Sequence, residues 1–157
     1  MFAEINSWLF QLRVILNAAV ILIEYFRLVK TFVMNSALSY LGCNDQIIDQ
    51  SKSEFSLVSA YLNGIGINWE NDQLNIDLKF ELFYPAGKRL VLKFNDVFEY
   101  DFNYNAAHYF YYVERLKLLK AENRYYISLD PVDQSEKIDA KDNDIIVATN
   151  LEAYLIS

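Results

Sequence analysis

The chain has 157 residues, of which 54% are hydrophobic and 16% aromatic, and a formal net charge of −7. A chain of this length buries roughly 70% of the surface it exposes when unfolded, so a core-bearing domain is expected and intrinsic disorder is excluded. An acidic body repels nucleic acid and anionic lipid, so a charge-steered partner is expected to be a basic protein.

Residues 8 to 34 are strongly hydrophobic, but their longest uncharged run, Val14 to Ile23, is too short to cross a bilayer that requires about 20 apolar residues. On a helix, Arg13, Asn17, Glu24, Arg27 and Thr31 form one narrow polar stripe opposite a broad apolar face. The expectation is a hydrophobic amphipathic helix over residues 1 to 33, followed by a domain over residues 34 to 157. Packing of this helix on the domain's own sheet is the leading reading. Self-association, giving a homodimer, and attachment to a membrane surface follow it. Cys43 is the only cysteine, which excludes an internal disulfide. With no cleavable leader visible, a reducing cytoplasm is the expected compartment.

Ser51 to Glu54 resembles a capping segment, predicting a short helix that contains Phe55, Leu57, Val58 and Tyr61. The glycines of Asn63-Gly64-Ile65-Gly66 predict a turn or a close backbone approach, because a lone GxG is a weak phosphate cradle.

From Leu74 to Tyr104 apolar and polar residues alternate. Leu74, Ile76, Leu78, Phe80, Leu82 and Tyr84 take every second position, and Phe98, Tyr100, Phe102 and Tyr104 repeat the pattern. Period two predicts strands with one buried and one wet face. Tyr84-Pro85-Ala86-Gly87 fits a type I turn, so 74 to 84 and 89 to 94 form a hairpin. Further strands are expected at 97 to 104, 108 to 119, 124 to 129, 144 to 149 and 151 to 156, the second of these open to a helical reading. Ala121-Glu122-Asn123 is a turn, and Asp130-Pro131 ends a strand because proline cannot donate to a ladder.

No catalytic signature emerges. His108 is the sole histidine, no nucleophile elbow accompanies it, and Cys43 lies in another segment. Glu99 and Asp101 share a strand face at roughly 6 to 7 Å, near the spacing of glycosidase carboxylates, but alternating acids are what any solvated face shows. The acidic stretch from Asp130 to Asp144 has enough oxygens for calcium if two loops converge, yet its spacing is not that of an EF-hand. A solvated or partner-facing loop is the simpler reading. No cofactor, metal or enzymatic activity is expected.

The segment from Tyr125 to Pro131, the acidic linker after it, and Asp142 to Ala148 resemble small bacterial β-rich proteins, some of which are similar to immunity proteins of polymorphic toxin systems. The resemblance spans about residues 74 to 156 and leaves out residues 1 to 33. It implies a stoichiometric inhibitor that occludes a basic toxin without chemistry of its own. On that reading Trp69, Asp133, Glu136, Asp139, Asp142 and Asp144 are the expected partner-binding residues.

The fold class expected is α+β, a hydrophobic N-terminal helix followed by a mostly antiparallel twisted sheet or sandwich. The function expected is non-catalytic protein binding, with self-assembly through the N-terminal helix as the alternative and a calcium- or carbohydrate-binding sandwich behind it.

Overall fold

A computed structural model describes residues 38–103 and 112–156. Their elements are β1 Leu38–Cys43, α1 Asp45–Ser51, β2 Tyr61–Glu70, β3 Gln73–Glu81, β4 Arg89–Asp101, β5 Lys117–Ala121, β6 Arg124–Asp130 and β7 Asn143–Ile156. The described chain is therefore mostly antiparallel β, with one seven-residue helix. This corrects the expected α+β class; the N-terminal helix and His108 fall outside the described residues.

The strands form one sheet in the order β2-β3-β4-β7-β6-β5, with β1 also paired to β7. β7 is the longest strand, at 14 residues, and it is paired along both edges. One edge meets β4 from Arg89↔Ile156 to Asp101↔Ile145. The other is divided: Asn143 to Ala148 pair with β6, and Glu152 to Ile156 pair with β1.

Asn44 closes the gap between these two partners. Its N–H donates to the Leu151 carbonyl at 2.7 Å, and its side-chain Oδ1 accepts from the Leu151 N–H at 3.0 Å. The residue sits at φ 58, in the left-handed region where asparagine is among the better-tolerated non-glycine residues. One side chain thus lets a single strand serve two neighbours without leaving buried backbone unpaired.

The alternation read from the sequence sorts the two faces. Ile76, Leu78 and Phe80 of β3 lie against Leu90, Leu92 and Phe94 of β4 and Ile146, Ala148, Leu151 and Ala153 of β7, all buried. Tyr125, Ile127 and Leu129 of β6 complete this face. Ile47 of α1, then Phe55, Leu57, Ala60 and Val113, join the same core. Reciprocal backbone bonds, Ser59 N–H to Val113 O at 2.8 Å and Val113 N–H to Ala60 O at 3.0 Å, bind two of these covering segments together. Lys120 Nζ to Asp45 Oδ2 at 2.8 Å ties α1 to β5.

Several expectations are revised locally. The short helix is α1, upstream of its expected place at 55 to 61, because residues 55–60 are held by inter-segment bonds and Tyr61 already opens β2. Asn63 to Gly66 lie inside β2, where the register shifts between Leu62 and Gly64, so the glycines accompany a bulge rather than a turn. The turn that does follow β2 is Asn71-Asp72, both at positive φ, as a two-residue type I′ hairpin requires. The β3–β4 hairpin forms as expected, with its turn one residue later, Lys88 N–H donating to Pro85 O at 3.4 Å. Of the strand expected at 97 to 104, residues 97–101 are the second half of β4, 102 and 103 are not strand and Tyr104 lies outside the described residues, and 144 to 149 and 151 to 156 merge into β7. Of 108 to 119, residues 117–119 lie in β5, which runs to Ala121, and 108–111 lie outside the described residues.

Replacing Asn44 by Ala removes the acceptor for Leu151 N–H and strains a left-handed position, so stability is expected to fall by about 1–3 kcal/mol. Asn44→Gly relieves the strain while still losing the bond, and should retain part of that loss. Urea unfolding of both variants checks the ranking.

Candidate functional site

The acidic stretch after β6 is organised from within. Lys117 projects from β5 with its side chain 2% exposed, and Asp142 receives it with its side chain wholly buried. The Lys117 ammonium lies 3.0 and 2.9 Å from the two Asp142 oxygens and 2.8 Å from Asp133 Oδ1. Asp142 also accepts from the Tyr126 hydroxyl at 3.0 Å, the Val132 N–H at 2.9 Å and the Asp139 N–H at 3.2 Å. A carboxylate so surrounded acts as the hub on which the chain between Pro131 and Lys141 winds.

Titration reflects that hub. Burial opposes ionisation of Asp142, but the Lys117 ammonium, two backbone N–H groups and Tyr126 outweigh it and hold the carboxyl below its ordinary value. Lys117 is likewise penalised by burial, and Asp133 and Asp142 together still raise it. Bonds from Lys117 and then Ser135 hold Asp133 down to about 2. Burial, then the Asp142 carboxylate, pushes the Tyr126 phenol up.

These contacts revise the expected partner-binding set. Asp142 and Asp144 are buried, at 9% and 3% exposure, and Asp144 Oδ1 accepts from the Asn103 N–H at 2.9 Å. Asp133 is spent on Lys117. Asp139 is half-buried and accepts from the Lys141 N–H, and Asp133 and Glu136 are the exposed acids of the group. Among the described residues no three His, Cys, Asp or Glu side chains gather as a metal-ligand set. No helix among them is long and apolar enough to cross a membrane.

Trp69 is 67% exposed near the tip of the β2–β3 hairpin. It pairs with Leu74, one step beyond the buried Ile76, so it continues the core-side stripe into an exposed position. The same end of the sheet holds a second aromatic pair that the sequence reading took only as strand pattern. At the β4 bulge between Val97 and Glu99, Asp96 is held from both sides, its N–H by Asn75 Oδ1 at 3.1 Å and its Oδ2 by the Thr149 hydroxyl at 2.7 Å. The bulge leaves Phe98 65% exposed and Tyr100 43% exposed. Trp69 lies on the core-side face of this end and Phe98 on the face that carries Tyr126 and Val147, and the carboxylates of Glu70, Asp72, Glu99 and Asp101, close to them in sequence, are exposed.

Phe98 already receives a cation: the Arg124 guanidinium carbon lies 3.6 Å from its ring centroid. The pair walls a groove of about 520 Å³ with Tyr126, Ile138, Ile145 and Val147. Rigid aromatics, a shallow apolar groove and flanking carboxylates suit a surface that seats apolar and cationic side chains.

No protein-family model, curated protein or solved structure matches the chain. The described residues form a single antiparallel sheet with exposed aromatics and carboxylates at one end.

Asp142→Ala is expected to cost about 3–5 kcal/mol at pH 7, because it leaves the buried Lys117 ammonium with Asp133 alone and takes the acceptor from the Val132 and Asp139 N–H groups. The double change Lys117→Met, Asp142→Leu should recover much of that loss. Asp142 and Asp133 are depressed in the folded state, so their stabilisation is complete above the ordinary carboxyl value near about 4 and disappears as pH falls through the lowered values. Lys117 is raised, so its contribution is complete below about 10.4 and disappears as pH rises through its folded value. Stability should plateau between about pH 5 and 10, and Asp142→Asn should flatten the acid limb. Denaturant titrations across pH measure both effects.

Proposed function

We propose that this chain is a non-catalytic protein-binding module that engages a basic partner through the tip formed by the β2–β3 hairpin and the second half of β4. The observation that carries the reading is the exposure of Trp69 and Phe98, at 67% and 65%, on hydrogen-bonded strands beside Glu70, Asp72, Glu99 and Asp101. Large rings held on strands lose little side-chain entropy when covered, and aromatic anchors of this type dominate binding energy in many interfaces. The carboxylates around them steer a cationic partner and speed association.

The acidic stretch of residues 130–144 has a different role in this proposal. Its buried hub shapes one wall of the groove beside Phe98, since Asp139 and Asp142 line that groove with Ile138. The finer reading, a stoichiometric immunity-type inhibitor of a basic toxin acting in the cytoplasm, rests on the sequence resemblance and on the acidic charge.

The test is a tagged pull-down from the native host at low and moderate salt, with bound proteins quantified by mass spectrometry. The expected result is one basic partner near 1:1, lost as salt rises. Trp69→Ala or Phe98→Ala should weaken its capture by about 30-fold, as loss of a hot-spot residue does. Charge reversal at Glu99 and Asp101 should slow association with little change in dissociation. Recovery of the bait alone, or capture that ignores all four changes, overturns the proposal.

A further inference from the structure

The groove beside Phe98 is built on the face of β6 and β7 that turns away from the hydrophobic core. Tyr126, Ile145 and Val147 line it, while their neighbours Tyr125, Ile127 and Ile146 belong to the core. Ile138 and Ala140 add a wall from the acidic stretch, which the buried Asp142 anchors by accepting from the Asp139 N–H at 3.2 Å. The groove is therefore a mostly apolar cleft with one wall set by a fixed polar hub.

Two features give it a chemical preference. The first is charge: Glu99, Glu122 and Asp139 line it against one cation, Arg124, so the lining is net negative even with Asp142 matched by Lys117. The second is the place that Arg124 takes. Its guanidinium carbon lies 3.6 Å from the Phe98 ring centroid, and among the described residues no carboxylate pairs with it, although Glu99 and Glu122 share the groove. An exposed arginine that stacks on a ring when acids are at hand marks that ring as a guanidinium seat, because a planar, weakly hydrated cation gains most on an aromatic face. Phe98 is still 65% exposed, so the seat is accessible.

On the reading that this end of the sheet engages a basic protein, we propose that the groove seats an arginine side chain of that partner, which takes the Phe98 ring from Arg124. The incoming guanidinium stacks on Phe98, its methylene stem covers Ile145 and Val147, and Glu99 and Glu122 accept from its N–H groups. Arginine is favoured over lysine because a flat head matches the ring. Arg124 is the resident competitor. It is exposed at the first position of β6, directly after the β5–β6 turn, so its side chain leaves the ring without moving a strand. An exposed cation–π contact is weak, and displacing it lowers the partner's affinity by only about two- to fivefold. A cation unable to stack meets the Arg124 charge with no compensating gain, which adds selectivity.

The test titrates N-acetyl-arginine methylamide into the full-length chain by NMR, with the citrulline analogue as the neutral isostere. The arginine probe should shift the amides of Phe98, Ala121 and Val147, and its own Cδ protons should move upfield over the ring. The citrulline probe should bind about fivefold more weakly. Phe98→Ala should abolish the shifts; where that variant does not fold, the citrulline comparison decides. Arg124→Gln should tighten binding of the arginine probe about two- to fivefold, whereas Arg89→Gln, the same charge change at the opposite end of β4, should leave it unchanged. No groove shift at saturating probe, shifts centred on Trp69, equal binding of citrulline, or an Arg124→Gln chain that binds no tighter than Arg89→Gln overturns the proposal. A basic partner captured through Trp69 in the pull-down survives each of these results, and the probe reads the groove with or without a captured partner, so the two proposals fail separately.

Discussion

The fold depends on β7 keeping both edges hydrogen-bonded over its 14 residues. A strand that long in the middle of a sheet carries many backbone groups into the interior, and each unpaired one is costly. β4 satisfies one edge over its full length, but no single strand satisfies the other, because β6 and β1 each reach only part of it. The solution is local. Asn44, between β1 and α1, turns at positive φ and supplies both a donor and an acceptor to Leu151. The direction in which α1 leaves β1, and with it the placement of Ile47 in the core, follows from that junction.

The Lys117–Asp142 hub solves a second problem, that of holding a polar chain segment against a sheet. The stretch between β6 and β7 has little apolar side-chain content with which to pack, so burial alone cannot order it. A buried carboxylate that accepts from two backbone N–H groups, a phenol and an ammonium supplies the direction that hydrophobic contact lacks. Such a centre adds specificity more than stability, since desolvating both charges offsets much of their attraction. Its consequence for binding is indirect, through the shape of the groove beside Phe98.

The proposed recognition features share one origin in the end of the sheet. Where a strand outruns its neighbour, as β4 does beyond Val97, its side chains leave the core and become surface while its backbone stays rigid on the β7 side.

Alternation from Leu74 to Leu82 determined, by itself, the strand β3, the inward residues Ile76, Leu78, Phe80 and Leu82, and its polar opposite face, because a side-chain period of two is a purely local property, whereas the same pattern at Phe98 and Tyr100 ended in exposed rings. Composition likewise determined an acidic, aromatic-rich domain. β1 and β2 escaped that reading. Gly42, Gly64 and Gly66 interrupt their patterns, and only pairing to β7 and β3 holds them extended; the Asn71-Asp72 turn was the available signal for β2. The helix expected at 55 to 61 failed for a related reason, since backbone bonds to Tyr84 and Val113 outweigh a weak local preference. Tertiary structure alone decided which acids are surface. Asp139 and Asp142 look alike in sequence, and only Lys117, 25 residues away on β5, makes one of them a buried hub. A carboxylate's role depends on what the fold brings to it, and that is set by long-range register rather than by neighbouring residues.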